Sequence, residues 1–270
     1  MKWDTYHTQG IKLKYVYRYI TFEKLIHFLE SNSLFFSRMD KFEDNLEGIT
    51  PYDITELIAN YNNDFLNIKP YDISEFYILK ELARKRKRAL LTVHKNLESQ
   101  KKKFVSSWIL GNSESIGMWD LYAPNGFLLK FERSKLQSII KSNKDKQSFV
   151  NDNNTLLVAG RVKYQDFNEV PFAEQESKIR YSAFRKHIAF KHEEEYRFLI
   201  SLPNELPLPG IEYKIGNIDD LEFEIIANPR MDRFTYETNK KVIEKYTKHE
   251  LKESTLKLWL EFRDLNNYNE

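Results

Sequence analysis

Short runs of aromatic and β-branched residues recur along the chain and constrain its fold more than any other feature. Residues 12–20 read KLKYVYRYI and residues 195–202 read EYRFLISL, and both place apolar side chains two positions apart, as one face of a β-strand does. Residues 127–131, FLLKF, are almost entirely apolar, which is typical of a strand buried on both faces. Phe, Tyr and Trp make up 14% of the chain, and such side chains bury large areas. The sequence therefore predicts a sheet with an aromatic-rich core.

Helical segments are interspersed irregularly with these strands. Apolar residues at helical spacing follow Thr21, a candidate N-cap, and the charged segment 174–188 is also predicted to be helical. Because strands and helices do not alternate regularly, the pattern favours the α+β class over a parallel α/β fold.

The chain is predicted to form one domain over residues 1–270, with a central, mostly antiparallel sheet flanked by helices. Residues 52–103 are predicted to be a helical insertion, since apolar residues recur there at helical spacing. Residues 235–263 are predicted to be a closing pair of helices, the second beginning at Leu251.

Composition limits the classes of function. The chain contains no cysteine, which excludes disulfides, thiolate metal sites and cysteine catalysis. The 42 basic and 40 acidic residues give a net charge of +2, which argues against a dedicated nucleic-acid coat protein. The polar N-terminus and the lack of any apolar run of ~20 residues predict a cytoplasmic protein with no membrane partner. Glycine-rich phosphate loops, G-x-S-x-G and H-E-x-x-H motifs are absent, which disfavours P-loop ATPases, α/β-hydrolases and zinc hydrolases.

Four segments, taken in order, carry a resemblance to a known family. They are residues 15–19, YVYRY; residues 42–48, FEDNLEG; residues 106–122, with their Ser-Ser-Trp and Met-Trp motifs; and residues 184–197, ending HEEEYR. Together they resemble a widespread bacterial family, domain of unknown function 2971, whose typical motifs are F-N-D-P-F-E-G and W-x-x-E-x-E-x-R. The resemblance covers about two-thirds of the chain. It implies no reaction, because the family has no established activity.

An arginine, a serine pair and two glutamates form the sharpest candidate for chemistry. Arg18 is on the first predicted strand, Ser106 and Ser107 are on a strand in the middle of the chain, and Glu193 and Glu195 begin a later one. Two residues that are two apart on an extended chain project from one face. This order of residue types is similar to the arginine–serine–glutamate pattern of the ADP-ribosyltransferases, which consume NAD as a co-substrate.

Cleavage of the nicotinamide–ribose bond would give each of these residues a role. The reaction passes through an oxocarbenium-like state, which Glu195 would stabilise while it holds a ribose hydroxyl. Glu193 would orient the attacking nucleophile as a general base. Arg18 would hold the pyrophosphate, and Ser107 would support Glu195 by a hydrogen bond.

Aromatic residues near this constellation complete the predicted cofactor-binding set. Trp108, Trp119 and Tyr122 are candidates to stack on nicotinamide, and Arg18 and Arg197 are the candidate cationic contacts. The chain would then be an NAD-consuming transferase or glycohydrolase, with a toxin or a phage-defence effector as its biological role.

Structural interpretations of the same residues remain open. Residues 193–197 also fit a solvated strand end with a cross-strand ion pair. Arg18 also fits stacking on neighbouring aromatic side chains, and Ser106 and Ser107 fit ordinary strand positions.

The acidic loop at residues 40–47 is a second candidate site. Asp40, Glu43, Asp44 and Glu47 offer oxygen ligands for a hard cation, but their spacing does not match a calcium-binding loop and an acidic turn needs no metal. No metal is therefore assigned. Another role for Asp44 or Glu47 is pairing with Arg18 or Arg197 across a cleft.

A basic run at residues 84–88, RKRKR, supports the alternative function, a non-catalytic module that binds a nucleotide, a nucleic acid or a protein partner. Five successive basic residues on a helix point all round it, so a solvated helix surface fits the run as well.

Overall fold

The computed structural model describes residues 1–44, 47–48, 80, 83–84, 87, 90–91, 94–149, 154–166 and 179–257. The strands are β1 (Lys2–Tyr6), β2 (Tyr15–Ile20), β3 (Ser33–Arg38), β4 (Lys103–Gly111), β5 (Phe127–Glu132), β6 (Leu156–Arg161), β7 (Lys163–Gln165), β8 (Arg185–His187), β9 (Glu195–Ser201), β10 (Gly210–Lys214), β11 (Phe223–Ala227) and β12 (Leu251–Lys252). The α-helices are α1 (Phe22–Ser31), α2 (Ile116–Tyr122), α3 (Arg133–Ser142) and α4 (Arg233–Ile243). Short 3-10 helices include Ile179–Phe184 and Ile188–Glu193.

One large sheet organises the molecule. Its strands run in the order β1-β6-β9-β4-β2-β5-β11-β12, with β3 pairing to β4 and β10 pairing to β3. Its pairs are antiparallel except for β1 with β6 and β11 with β12, while β7 and β8 form a separate parallel pair. The α+β prediction with a mostly antiparallel sheet is confirmed.

The sheet has two differently filled faces. Phe131, Trp108 and Phe198 belong to the main apolar core on the face that α1 covers. Strand alternation places Tyr17 and Tyr19 on the opposite face, where they pack with Met118 and Trp119 of α2. The aromatic-rich core that the sequence predicts is therefore present, in two layers.

A fork in the sheet positions the candidate site. β2 pairs with β4 only from Tyr15–Gly111 to Tyr17–Ile109, and β3 pairs with β4 only at Ser37–Val105 and Arg38–Phe104. β9 pairs along the other edge of β4, so β2 and β3 share one edge of that strand. The residues of β4 between the two pairings, 106–108, therefore face a gap where β2 and β3 diverge.

The structure corrects two predicted helices. Residues 185–187, predicted to be helical, form β8, because Phe184 is buried and the extended backbone carries Lys186 into a cluster of carboxylates. Leu251, predicted to begin a helix, pairs with Ile225 in β12, and its carbonyl accepts a hydrogen bond of 2.7 Å from the Tyr236 hydroxyl.

The structure shows only parts of the other predicted helical segments as helices. α4 covers much of the first closing helix, and Lys257 is the first helical residue after β12. Most of the insertion predicted at 52–103 lies outside the described residues, although residues 94–100 are helical.

Candidate functional site

A cavity of about 230 Å³ lies beside the fork and brings the predicted residues together. It is lined by Tyr17, Arg18, Tyr19, Phe42, Glu47, Ser107, Trp108, Ile109, Tyr122, Lys186, Glu193, Glu195 and Arg197. Arg18, Ser107 and Glu195 come from β2, β4 and β9, three strands that are neighbours in the sheet. Residues far apart in the chain thus share one cleft, as the enzymatic hypothesis requires.

The buried pair of Glu195 and Arg197 forms the centre of the cavity wall. Both residues project from the same face of β9, and they are 3% and 1% exposed. The guanidinium of Arg197 donates from Nε to Oε2 of Glu195 at 2.8 Å and from Nη2 to Oε1 at 2.7 Å. It also donates from Nη1 to the carbonyl of Ala183 at 2.6 Å and forms an ion pair with Glu47. Arg197 thus uses four of its five N–H donors within the protein, which leaves it little capacity for the predicted role in cofactor binding.

Lys186 joins the second glutamate to this pair. Its ammonium group donates to Oε2 of Glu193 at 2.6 Å and to Oε1 of Glu195 at 3.0 Å. Oε2 of Glu47 lies 3.8 Å from the same nitrogen. Three carboxylates and two cations therefore form one buried cluster, in which Lys186 and Arg197 supply the positive charge.

The local backbone explains why Glu193 and Glu195 lie together. Glu193 is the last residue of the 3-10 helix Ile188–Glu193 and not, as predicted, part of an extended strand. Glu194 then adopts a left-handed conformation with φ 41°, and its carbonyl accepts the backbone N–H of Leu110 on β4 at 2.9 Å. This sharp turn, and not strand alternation, directs both carboxylates into the cluster.

The two glutamates have opposite pKa perturbations. Burial pushes the pKa of Glu195 upwards, but the charges and hydrogen bonds of Arg197 and Lys186 outweigh it and hold the pKa well below its ordinary value. Burial, together with a hydrogen bond to Glu195, raises the pKa of Glu193 against the opposing charge of Lys186. Carboxyl groups whose pKa values are pushed apart are suited to different roles in acid–base chemistry.

Tyrosine hydroxyls complete the surroundings of these carboxylates. Tyr122, at the end of α2 and 45% exposed, donates to Oε1 of Glu193 at 3.1 Å. The hydroxyl of Tyr164 accepts the backbone N–H of Glu195 at 2.9 Å. Tyr122 thus connects the buried cluster to the protein surface.

The side chain of Arg18 lies on the face of the sheet that α1 covers and reaches across the fork to β3 and β4. Its guanidinium donates from Nη1 to the hydroxyl of Ser106 at 3.1 Å and from Nη2 to the carbonyl of Phe35 at 3.2 Å, and it lies 5.6 Å from the Trp108 ring. Among the residues that the structure describes, no carboxylate forms an ion pair with it. Burial lowers the pKa of Arg18 to about 10, so the side chain stays charged at neutral pH.

The structure corrects three further assignments. Ser107 lines the cavity but makes no hydrogen bond to Glu195, whose described side-chain partners include Arg197 and Lys186; the serine that is hydrogen-bonded to Arg18 is Ser106. Trp119 is 0% exposed, packs in the core beside α2 and is not among the residues that line the cavity; Trp108 lines the cavity but is only 1% exposed, so little of its ring is open to a ligand. Tyr122 is the aromatic candidate that remains accessible.

The acidic loop pairs with arginines. Asp40 receives two hydrogen bonds from Arg38, at 2.6 and 3.0 Å, and Glu47 pairs with Arg197, as one of the sequence hypotheses predicts. Within the described residues, no group of three or more His, Asp or Glu side chains is arranged to hold a metal ion. Most of the basic run at 84–88 lies outside the described residues; Arg84 and Lys87 are helical.

Lys186 is the member of the buried cluster that sequence reasoning did not assign to the candidate site. It lies in the segment that carries the family resemblance, seven positions before Glu193, but nothing in that spacing predicts a contact. Its place in the cluster depends on β8 packing beside the 3-10 helix Ile188–Glu193.

Comparison with known proteins gives one similarity. Residues 118–198 match the family model described as "Protein of unknown function (DUF2971)". This region contains most of α2, all of β5 and β6, and Glu193, Glu195 and Arg197 of the buried cluster. No curated protein and no solved structure matches the chain. Among the described residues, no helix is long and apolar enough to cross a membrane.

Proposed function

We propose that the protein cleaves the nicotinamide–ribose bond of NAD in the cavity beside the fork, passing the ADP-ribose unit to water or to an acceptor. The observation that carries the proposal is the pair Glu193 and Glu195, two adjoining carboxyl groups with pKa values perturbed in opposite directions. Arg18, a cation with no carboxylate partner among the described residues, lines the same cavity. An acid–base pair beside an unpaired arginine suits an anionic substrate whose reaction develops positive charge.

The roles of the glutamates follow from their protonation. Glu195 remains ionised and stabilises the positive charge that develops on the ribose ring. The C1′–N bond breaks, and its electron pair leaves with nicotinamide, which becomes neutral. Water then attacks C1′ and gives its proton to Glu193, whose raised pKa makes it a better proton acceptor than an ordinary glutamate.

The hydrogen bonds that Glu195 already accepts limit the role that the sequence predicts for it. A carboxylate offers about four acceptor sites, and Arg197 and Lys186 take three of them with the bonds described above. The hydrogen bond between Glu193 and Glu195 competes for the remaining site, so a ribose hydroxyl can bind Glu195 only in exchange for that bond. Glu195 therefore acts mainly through its charge.

Release of nicotinamide by purified protein tests the proposal, with Glu193→Gln, Glu195→Gln and Arg18→Gln as variants. Loss of a general base costs about 10²- to 10⁴-fold in rate, so Glu193→Gln should be strongly impaired. In the wild type, kcat/KM should rise with pH through the raised pKa of Glu193, and this limb should vanish in Glu193→Gln. Glu237→Gln, which alters a carboxylate that is paired with Arg233 on α4 and does not line this cavity, is the matched control.

Two results would contradict the proposal. One is a wild-type protein that neither releases nicotinamide nor shows a thermal shift with NAD. The other is a Glu193→Gln variant as active as the wild type. An acceptor protein or nucleic acid would become the next target if turnover is seen, and consumption of NAD would account for a role as a toxin or phage-defence effector.

Non-catalytic nucleotide binding is the second candidate function. It is favoured by one observation: the bonds that Glu195 already receives leave it little capacity to contact a substrate. A thermal shift with NAD but no nicotinamide release, unchanged by Glu193→Gln and abolished by Arg18→Gln, would support binding without turnover.

A further inference from the structure

A second, larger cavity adjoins the first at Arg18. It has a volume of about 510 Å³ and lies between α1, β2 and β3. Arg18 and Tyr19 line both cavities, so the guanidinium lies where the two spaces meet. A charged group placed between two cavities fits a ligand that carries its charge in the middle.

The volumes indicate that the smaller cavity is only part of a site. Small-molecule sites usually enclose about 300–1,000 Å³, and 230 Å³ falls below that range while 510 Å³ falls within it. A dinucleotide therefore needs more space than the cavity beside Glu193 provides, and the adjoining cavity supplies it.

The lining of the larger cavity suits a nucleoside with an attached phosphate. Ile20, Phe28, Leu34 and Leu129 give it apolar walls, on which a purine ring packs favourably. Lys24 and Glu23, both exposed on α1, place one positive and one negative charge at its margin, so the cation that the site offers to a phosphate is mainly Arg18. Apolar walls with a few polar and charged groups are typical of small-molecule sites.

Arg18 retains hydrogen-bonding capacity for that phosphate. A guanidinium has five N–H donors, and two of those in Arg18 serve Ser106 and Phe35. Arg38 and Arg197, by contrast, each make two hydrogen bonds to one carboxylate. A phosphate oxygen pair is the acceptor that such a fork of donors fits.

We infer that the larger cavity binds the adenosine part of the substrate, with the pyrophosphate at Arg18 and the nicotinamide riboside in the smaller cavity. The inference rests on the proposed function and adds to it the place where the adenosine half binds, so that the dinucleotide extends across two cavities. It assigns a binding role to α1 and β3.

Titration calorimetry with AMP tests this directly, because AMP carries the adenosine and one phosphate but no bond to be cleaved. The wild type should bind AMP. Ser37→Met, whose larger side chain would fill part of the larger cavity, and Arg18→Gln should each weaken binding about tenfold or more. Lys24→Glu, on the exposed surface of α1, should weaken it severalfold at low salt and less at high salt. Glu193→Gln, which alters only the smaller cavity, should bind AMP like the wild type, and thermal melts should show that each variant is folded.

Three results would overturn the inference: no binding of AMP by the wild type, AMP affinity unchanged in folded Ser37→Met and Lys24→Glu, or AMP affinity lost in Glu193→Gln. The test separates this inference from the proposed function because it measures no turnover. AMP binding with the expected variant pattern, but without release of nicotinamide from NAD, would overturn the catalytic proposal alone. Release of nicotinamide without that pattern would overturn the adenosine site alone.

Discussion

Arg197 is the side chain on which the buried cluster most depends, since its guanidinium pairs with both Glu195 and Glu47 while being 1% exposed. Removing one partner of a buried ion pair leaves an uncompensated charge, which costs far more than the pair itself contributes. Arg197→Met should therefore lower the free energy of unfolding by about 3–5 kcal/mol, as measured by urea denaturation.

Arg230→Met is the matched control for that change. Arg230 pairs with Asp120, and both side chains are about half exposed. A pair of this kind contributes about 0–1 kcal/mol, so the variant should unfold nearly as the wild type does. Equal losses in the two variants would show that burial of the cluster does not matter energetically.

The low pKa of Glu195 makes stability depend on pH. The pKa is lower in the folded protein than its ordinary value of 4.5, so the folded state binds this proton less readily than the unfolded chain. The contribution is therefore fully present above that ordinary value and is lost as the pH falls below it. Urea denaturation of wild type and Glu195→Gln at about pH 7 and about pH 3.5 should show a stability difference that shrinks in acid. A difference independent of pH would mean that Glu195 is not ionised in the fold.

At the scale of single elements, two glycines differ in the space that their surroundings leave for a side chain. A Cβ at Gly160 on β6 would lie 2.2 Å from the carbonyl oxygen of Tyr6 on β1, so the close pairing of these strands requires glycine there. A Cβ at Gly117 in α2 would meet only the Ser115 hydroxyl, at 3.9 Å.

Alanine at these positions should change stability in opposite directions. Gly160→Ala should destabilise the protein by about 1–3 kcal/mol through steric overlap between β6 and β1. Gly117→Ala should stabilise it by about 0.5–1 kcal/mol, because alanine is the better helix former. Thermal and urea unfolding of both variants measure the effect; two destabilised variants would contradict the open surroundings of Gly117.

The elements that could be predicted from sequence are those with local periodicity. β2, β5 and β9 carry continuous apolar or alternating patterns, and each was predicted. β1 reads Lys-Trp-Asp-Thr-Tyr and owes its strand conformation to parallel pairing with β6, more than 150 residues away, which no local pattern encodes. β8 forms for a similar reason, since its extended backbone depends on the contacts of Lys186 with distant carboxylates.

Some features of the candidate site could likewise be predicted from the sequence and others could not. The residue types and chain order of Arg18, Glu193 and Glu195 sufficed to predict that these residues line one cleft. The partners of those groups could not be predicted, because the choice of Ser106 over Ser107 and the bond from Lys186 depend on which face each strand presents after folding.

For the whole molecule, the sheet order predicts where the fold is most stable. β9 lies between β6 and β4, so its backbone amides are protected on both edges, whereas residues 106–108 of β4 face the fork on one edge. β1 lies at the end of the strand order and has β6 as its neighbour in the described sheet. Hydrogen exchange should therefore be slowest in peptides covering residues 195–201 and faster in residues 2–6. Protection of β1 equal to that of β9 would contradict this order of stability.

The pairing of Arg38 with Phe104 also has a consequence for which segments of such a chain can vary in sequence and length. β3 ends at Arg38 and β4 begins at Lys103, so the chain leaves the sheet and returns to it at adjacent positions beside the fork. The free-energy cost of closing a loop rises only slowly with its length, so the part of the intervening segment between Glu47 and the helical residues 94–100 can be lengthened, shortened or exchanged with little effect on the strands. Such a chain can therefore carry different segments next to the same cavity while it keeps the same sheet.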